Sequence, residues 1–329
     1  MRKLKGLIFR TMTAILVLGV TGLSAWAADF PTRPITLVNP MSPGGTLDLQ
    51  ARAFAALGEK LLGQPVVVTN KPGATGMIAL AEVANAPPDG YTLFVGASTV
   101  FQAVEWEIVN GRKPAATGQD LVAIGAFTLS PTIVAVPFNS PWKTLADLIK
   151  SCKEKPDNFS FSSGGLYGSS HIPSELLMRS AGFKARHVPY KGGGPALAAL
   201  VGGHVDFHTP FPPTSIPLYR GNKVRLLAVQ SDRKLKSIPE VPTLQELGIQ
   251  NAENYMWVGI MAPKRMPAEV LKKLKDAVAA AVKDQVFIDA IEKPGDEVRF
   301  MGSEELTKFM EYESKVASNL FKELIKEKK

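Results

Sequence analysis

Short apolar, β-rich runs alternate with segments of helical period along most of the chain, the pattern of an α/β fold built on parallel strands. Ile35-Thr36-Leu37-Val38 reads as a strand, Pro43-Gly44-Gly45 as the loop after it, and residues 47–62 as a helix with apolar positions at helical spacing. Val66-Val67-Val68 is the next strand, and Pro72-Gly73-Ala74-Thr75-Gly76 leads into a helix over residues 78–85. Pro87-Pro88-Asp89-Gly90 forms a turn before a third strand at 91–95. The unit recurs downstream. Residues 159–162 lead through the loop 163–170 into a helix at 174–180. Residues 187–190 then lead through Gly192-Gly193-Gly194-Pro195 into a helix at 196–201, followed by a buried strand at Val205-Asp206-Phe207.

Four strand–glycine loop–helix units result, two early and two late. Between the pairs lies a long β-rich stretch, 121–136, interrupted at Ser130-Pro131, and a second one, 255–261, follows the later pair. Two such connectors flanking a central α/β block predict two lobes joined by two crossing hinge strands, with a ligand cleft between them. On this reading lobe I takes residues 28–128 and 254–329, and lobe II takes residues 129–253. Amphipathic helices at 269–283 and 304–325 return to lobe I.

Residues 1–27 set the compartment. Arg2, Lys3, Lys5 and Arg10 form a basic start without an acidic residue, an apolar run covers 13–23, and Ala25-Trp26-Ala27 precedes Ala28-Asp29. That is the layout of a cleaved secretory signal peptide, and the apolar run falls short of the about 20 residues a membrane span needs. The expected mature protein is exported and begins at Ala28. The leader supplies half of the formal net charge of +8, so the remainder is only mildly basic. No basic stripe with interleaved aromatics marks a nucleic-acid surface. The single cysteine, Cys152, leaves no internal disulfide and reads as a buried bystander.

The glycine loops carry the candidate chemistry. Each ends where a helix begins, so unpaired backbone N–H groups and the positive end of the helix dipole face the ligand side of the sheet. Two lobes offering such termini can clamp a small acid from both sides without a cationic side chain. Thr46 is read as a helix N-cap with Asp48 in the first turn, or with Asp48 turned into the cleft. Ser163, Ser169 and Ser170 either donate hydroxyls to a carboxylate or cap the helix that follows. Nucleotide and covalent chemistries lack their motifs: there is no G-x-x-x-x-G-K-[ST], no G-x-G-x-x-G ahead of a helix, and no G-x-S-x-G. The four histidines, His171, His187, His204 and His208, show no metal spacing. His204 and His208 flank a strand, and His171 either lines the cleft or caps a helix.

Five ordered segments carry a family likeness: "FPTRPITLVNPMSPGGTLDLQAR" (30–52), "NKPGATGMIALAEVANAPPDGYTLFVG" (70–96), "FSSGGLYGSSHIPSELL" (161–177), "HVPYKGGGPALAALVGGHVDF" (187–207) and "IPEVPTLQELGI" (238–249). They resemble Bug-type solute-binding proteins of tripartite tricarboxylate transporters, and the resemblance runs over essentially the whole chain after the leader. It implies a periplasmic receptor of the two-lobe, type II binding-protein fold, neither an enzyme nor a holder of a cofactor or metal. It implies closure on a small organic carboxylate and its delivery to permease subunits in the membrane; a receptor that must close is by default a monomer. Main-chain amides and hydroxyls, often through waters, would hold the carboxylate. Carried over by position, the first-lobe contacts are Ser42, Pro43, Gly44, Gly45, Thr46 and Asp48, then Thr75, Gly76, Ala97 and Ser98. Those of the second lobe are Ser163, Gly164, Tyr167, Gly168, Ser169, His171, Lys191, Gly192 and Gly193, then Thr209 and Pro210.

The chain departs from the family text at Asn39-Pro40-Met41-Ser42, over 99–121, and over the apolar, proline-rich 207–217. These stretches lie near the expected cleft, so the resemblance does not carry the identity of the acid. Glu105 and Glu107 read as surface charges. Met41, Tyr167, Phe211 and Trp257 read either as an apolar wall for an aromatic or long-chain acid or as core. Two other functions fit the same sequence. One is a ligand-loaded sensor that docks on a histidine kinase; the other is an exported small-ester hydrolase with an activated nucleophile near His171 or His187.

Overall fold

The computed structural model describes residues 30–327; the expected leader, its cleavage point, Lys328 and Lys329 lie outside the described residues. Two mixed sheets organise the chain. The first receives β1 (Ile35–Asn39), β2 (Val66–Asn70), β3 (Thr92–Ala97) and β4 (Leu121–Pro131). The second receives β5 (Ile133–Pro137), β6 (Ser160–Ser163), β7 (Arg186–Pro189), β8 (Phe207–His208) and β9 (Val224–Val229). The chain then returns to the first with β10 (Tyr255–Pro263) and β11 (Val298–Gly302). The strand orders are β11-β4-β10-β3-β1-β2 and β7-β6-β8-β5-β9.

Helices α1 (Thr46–Ala55), α2 (Gly58–Leu62), α3 (Met77–Ala84) and α4 (Ser98–Val109) flank the first sheet. The second carries α5 (Leu145–Glu154), α6 (Ile172–Ala181), α7 (Gly193–Val201) and α8 (Pro212–Arg220). After the return come α9 (Ala268–Ala281), α10 (Gln285–Glu292) and α11 (Ser303–Glu327). None of the described helices is long and apolar enough to cross a membrane.

Local sequence explains the elements that frame the cleft. Strand β1 pairs in parallel with both β2 and β3. Both its faces are covered, which is why Ile35, Leu37 and Val38 follow one another as buried apolar residues. Helix α5 starts at a capping box, in which Thr144 Oγ1 accepts the Asp147 N–H and Asp147 accepts the Thr144 N–H. Its Leu145, Leu148 and Cys152 then fall on one buried stripe. The single helix expected over 47–62 is two, α1 and α2. Gly58, at the start of α2, presses its backbone against β2, where a Cβ would stand 2.7 Å from the Val66 nitrogen. A continuous helix bearing a side chain there could not pass. Helix α8 opens on Pro212 and Pro213, whose missing N–H groups cost nothing in a first turn.

The lobes are joined where β4 gives way to β5 and where the chain leaves β9 for β10. Thr132 sits at the first crossing. Its carbonyl accepts the Gln230 N–H at 2.8 Å, its hydroxyl bonds the Gln230 side chain at 3.0 Å, and the Asn254 N–H donates to the Gln230 carbonyl at 3.0 Å. These bonds tie the two crossings side by side.

Two acids sit in the lobe I interior. Asp296 accepts bonds from Ser130 Oγ, the Gln50 amide and the Glu297 N–H; burial outweighs them and pushes its pKa up to about 7. Glu313, on α11, accepts from Ser98 Oγ at 2.9 Å and Trp257 Nε1 at 2.7 Å, and burial again pushes it up to about 7. A carboxyl whose folded pKa lies above its unfolded one binds more protons folded than unfolded. Its stabilising contribution is full below the unfolded value near 4, is lost as pH rises to about 7, and changes no further above that. We expect the unfolding free energy from urea titrations to fall between pH 5 and 8, by a few kcal/mol at about 1.4 kcal/mol per pKa unit. Asp296→Asn should flatten that fall; an unchanged slope in the variant would remove Asp296 as its source.

Candidate ligand-binding site between the lobes

Three helix N-termini meet between the lobes: α1 and α4 from lobe I and α7 from lobe II. Intrahelical bonding begins with Leu49 N–H to Gly45 in α1 and with Ala196 N–H to Gly192 in α7, so the N–H groups ahead of these have no helical carbonyl to reach. The loops approach backbone to backbone because they lack side chains. A Cβ on Gly45 would stand 3.4 Å from the Gly194 nitrogen and 3.7 Å from that of Gly193. Within lobe II, a Cβ on Gly164 would stand 2.8 Å from the Gly193 nitrogen, so that contact too requires glycine.

The loops enclose a chamber of about 40 Å³, lined from lobe I by Met41, Gly45, Thr46, Leu47, Thr99 and Met256. Lobe II contributes Gly164, Ser169, Ser170, Gly193, His208, Pro210, Phe211 and Thr214. That volume holds about three waters. A mouth of about 250 Å³ adjoins it, sharing Met41 and Gly164 and bordered by Thr75, Leu166 and Lys191.

The lobes are closed upon each other. Ser42 donates its hydroxyl (2.8 Å) and its N–H (3.3 Å) to the Lys191 carbonyl. The Ser169 N–H reaches Thr99 Oγ1 at 3.0 Å, Ser169 Oγ reaches Gln102 Oε1 at 3.3 Å, and Thr75 Oγ1 reaches the Leu166 carbonyl at 3.4 Å. Trp106 of α4 stacks on Tyr167 at 3.6 Å between ring centres, and Phe321 of α11 packs edge-on against both.

Of the residues carried over from sequence, Gly45, Thr46, Gly164, Ser169, Gly193 and Pro210 line the chamber. Thr75 and Lys191 border the mouth. Ser42, Gly168 and Gly192 form the contact between lobes, since Cβ atoms on the two glycines would meet Thr99 and Ser42. Pro43 and Gly44 shape the loop before α1, and Gly76, at φ +90°, shapes the one before α3. Ala97 ends β3 in the core. Other hydroxyls are engaged elsewhere: Ser98 with Glu313, Thr209 with the Ser170 carbonyl, and Ser163 with the Gly165 carbonyl.

Thr46 differs from the capping expected, whereas Asp48 stands in the first turn as expected. The N-cap is Gly45, with no side-chain cap, and Thr46 is already helical. Asp48 turns back to accept the Gly44 N–H (3.0 Å), Arg52 and Asn70. Burial pushes its carboxyl up, but these bonds outweigh it and hold the pKa below the ordinary value. The apolar wall also differs in part. Met41 and Phe211 line the chamber together with Met256, whereas Trp257 is core, stacked on Phe101 with its N–H on Glu313. Glu107 pairs with Arg112 and Glu105 accepts from Ser314, both outside the chamber lining.

His171 is buried at the start of α6, accepting the Tyr167 N–H at Nδ1 and bonding Glu175 through Nε2. Its ring stacks on His187 at 3.8 Å. His187 Nε2 lies 2.7 Å from Ser163 Oγ, but burial and the neighbouring His171 push His187 down to about 3, and Ser163 is fully buried. Cys152 is sealed in the lobe II core, where burial raises its pKa to about 11. Sequence reasoning missed Thr99 and Met256 as lining groups, because only the folded contact brings α4 and β10 to the lobe II loops. It weighed His208 only as a metal ligand.

Residues 50–326 match the profile of a family described as tripartite tricarboxylate transporter family receptor. A relative from Pseudomonas sp. (strain P51), the UPF0065 protein in the tcbD-tcbE intergenic region, is 34% identical over 267 residues, 81% of this chain and 79% of its own. Among solved structures, the periplasmic binding protein BugD superposes with TM-score 0.83 at 28% identity, covering 89% of this chain and 98% of that one. MatC from Rhodopseudomonas palustris with bound malate superposes at 0.82 and 28%, covering 89% and 100%.

Proposed function

The chain belongs to the tripartite tricarboxylate transporter family of receptors, and from that premise we propose that it is an exported receptor that closes on a small organic carboxylate and delivers it to a membrane permease. The observation that carries this reading is the meeting of three helix N-termini around a chamber with no carboxylate, lysine or arginine among its lining residues. Peptide N–H groups and helix dipoles then supply the positive potential for an anion. The ligand contacts amides of both lobes only when they are closed, so binding draws the open form into the closed one. The carboxylate sits against Gly45, Thr46 and Gly193, and the rest of the molecule extends past Met41 toward the mouth and Lys191. MatC, bound to malate, is a related receptor holding a small acid of this class.

A melting screen of the chain from Ala28 against mono-, di- and tricarboxylates, aromatic acids and amino acids tests the reading. An acid at a thousand times its dissociation constant adds about 4 kcal/mol of stability, a clear shift in melting point. Stabilisation confined to one class of acid is expected. Flat curves with every acid, alongside a shift from a neutral or cationic compound, would refute the carboxylate reading. Loss of uptake of that acid in cells lacking the gene distinguishes delivery from sensing.

A further inference from the structure

We infer that His208 sets the substrate class of this site: it admits carboxylates bearing a hydroxyl that donates to His208 Nε2, and disfavours the same acids without it. The inference rests on the carboxylate reading above and narrows it.

His208 ends β8, where Phe207 points into the lobe II core and His208 lines the interlobe chamber. Its Nδ1 lies 2.7 Å from the Ser162 carbonyl on the neighbouring strand β6. A carbonyl can only accept, so Nδ1 carries the proton and the ring is held in one orientation. The opposite nitrogen, Nε2, makes no hydrogen bond among the described residues, although the residue is only 1% exposed. Burial pushes its pKa down to about 4, so at neutral pH the ring is uncharged and Nε2 offers a lone pair. His208 is the only titratable side chain in the chamber lining.

The rest of the lining shows what that lone pair awaits. Ser169 Oγ donates to Gln102, Thr214 Oγ1 donates to the Phe211 carbonyl, and Ser170 Oγ accepts the Gly164 N–H. The helix termini offer donors, which suit a carboxylate. A carboxylate oxygen cannot pair with a lone pair; a hydroxyl can. An ammonium group could also donate, but it would be buried without a counter-charge. No acidic side chain lines the chamber to supply one, and the lobe I acids Asp48 and Glu313 are already engaged, Asp48 by Arg52 and Asn70, Glu313 by Ser98 and Trp257. A buried charge left unpaired costs far more than one hydrogen bond returns. A hydroxyl satisfies Nε2 with no such penalty, whereas an acid lacking one leaves it unmet.

The test uses acids that differ by one hydroxyl: malate and succinate, lactate and propionate, citrate and tricarballylate, each titrated calorimetrically at pH 7. In whichever pair fits the chamber, the hydroxy acid should bind about 10- to 100-fold tighter. His208→Phe should bring the pair to within about threefold by weakening the hydroxy acid alone, and His208→Gln, whose Oε1 can accept, should restore part of the difference. Equal affinities in the unaltered protein overturn the inference even if His208→Phe fails to fold, as does a ratio unchanged in His208→Phe. If no acid of any pair binds while another acid does in the melting screen, this inference falls and the carboxylate reading stands; if no acid binds in either experiment, both fall.

Discussion

A methyl group added at Gly168 should hold the lobes apart and weaken ligand binding about 10- to 100-fold. Its Cβ would fall deep inside van der Waals contact with Thr99 Oγ1 and 3.2 Å from Thr75 Cγ2, both on the opposite lobe. The backbone at Gly168 is not left-handed, so alanine is tolerated within lobe II and the strain falls on closure. Overpacking by one methylene commonly costs about 1–3 kcal/mol, which sets the size of the affinity loss. Thr99 Oγ1 also accepts the Ser169 N–H in the closed form, so that bond is lost as well. Small-angle scattering of Gly168→Ala with saturating acid should show a larger radius than the unaltered protein. Thr99→Ala in the same chain should recover part of the affinity, because it removes the atom struck. A Gly168→Ala protein that closes and binds normally would show that these loops do not meet when ligand is held.

Gly45→Asp should abolish binding by the opposite route. Gly45 has φ −88°, which aspartate adopts freely, and its Cβ position lies 3.4 Å from the Gly194 nitrogen. The new carboxylate reaches the N–H groups of α7 while sitting at the start of α1, where the ligand's carboxylate is placed. The variant therefore carries its own anion between the helix termini and repels a second one. We expect affinity to fall more than about a hundredfold, with lobes that stay closed in the absence of ligand, since a charged hydrogen bond is worth about 1.5–3 kcal/mol. Gly45→Asn, equal in size but neutral, should lose much less. Equal losses in the two variants would assign the effect to bulk rather than charge. Together the glycine variants separate a wedge from a decoy: one holds the protein open and binds weakly, the other stays closed and does not bind.

Much of this arrangement is legible in sequence because it is local. The glycine loops announce themselves by residue type, and the β-rich stretches that join the lobes stand out by apolar runs without helical period. What sequence does not disclose is contact at long range. Thr99 belongs to a helix that begins directly at the end of β3, with no glycine loop between them, and becomes a lining residue only through Ser169, seventy positions away. Asp48 sits at the right spacing for either a capping or a cleft role; the choice is made by Asn70, brought alongside by the parallel pairing of β1 with β2. Trp257 reads as a candidate wall until Glu313, from a helix near the C-terminus, claims its indole N–H. His208 carries no motif. Its significance depends on which ring nitrogen the neighbouring strand occupies.

If one anion is held by backbone amides of both lobes, amide hydrogen exchange with saturating acid will register it in both at once. Ligand should slow exchange at residues 45–47 and at residues 193 and 194 together, by similar factors. Protection confined to one lobe would contradict it. So would protection along the open groove beside α5, bordered by Leu145, Ile149, Lys153 and Ile249, with the glycine loops unchanged.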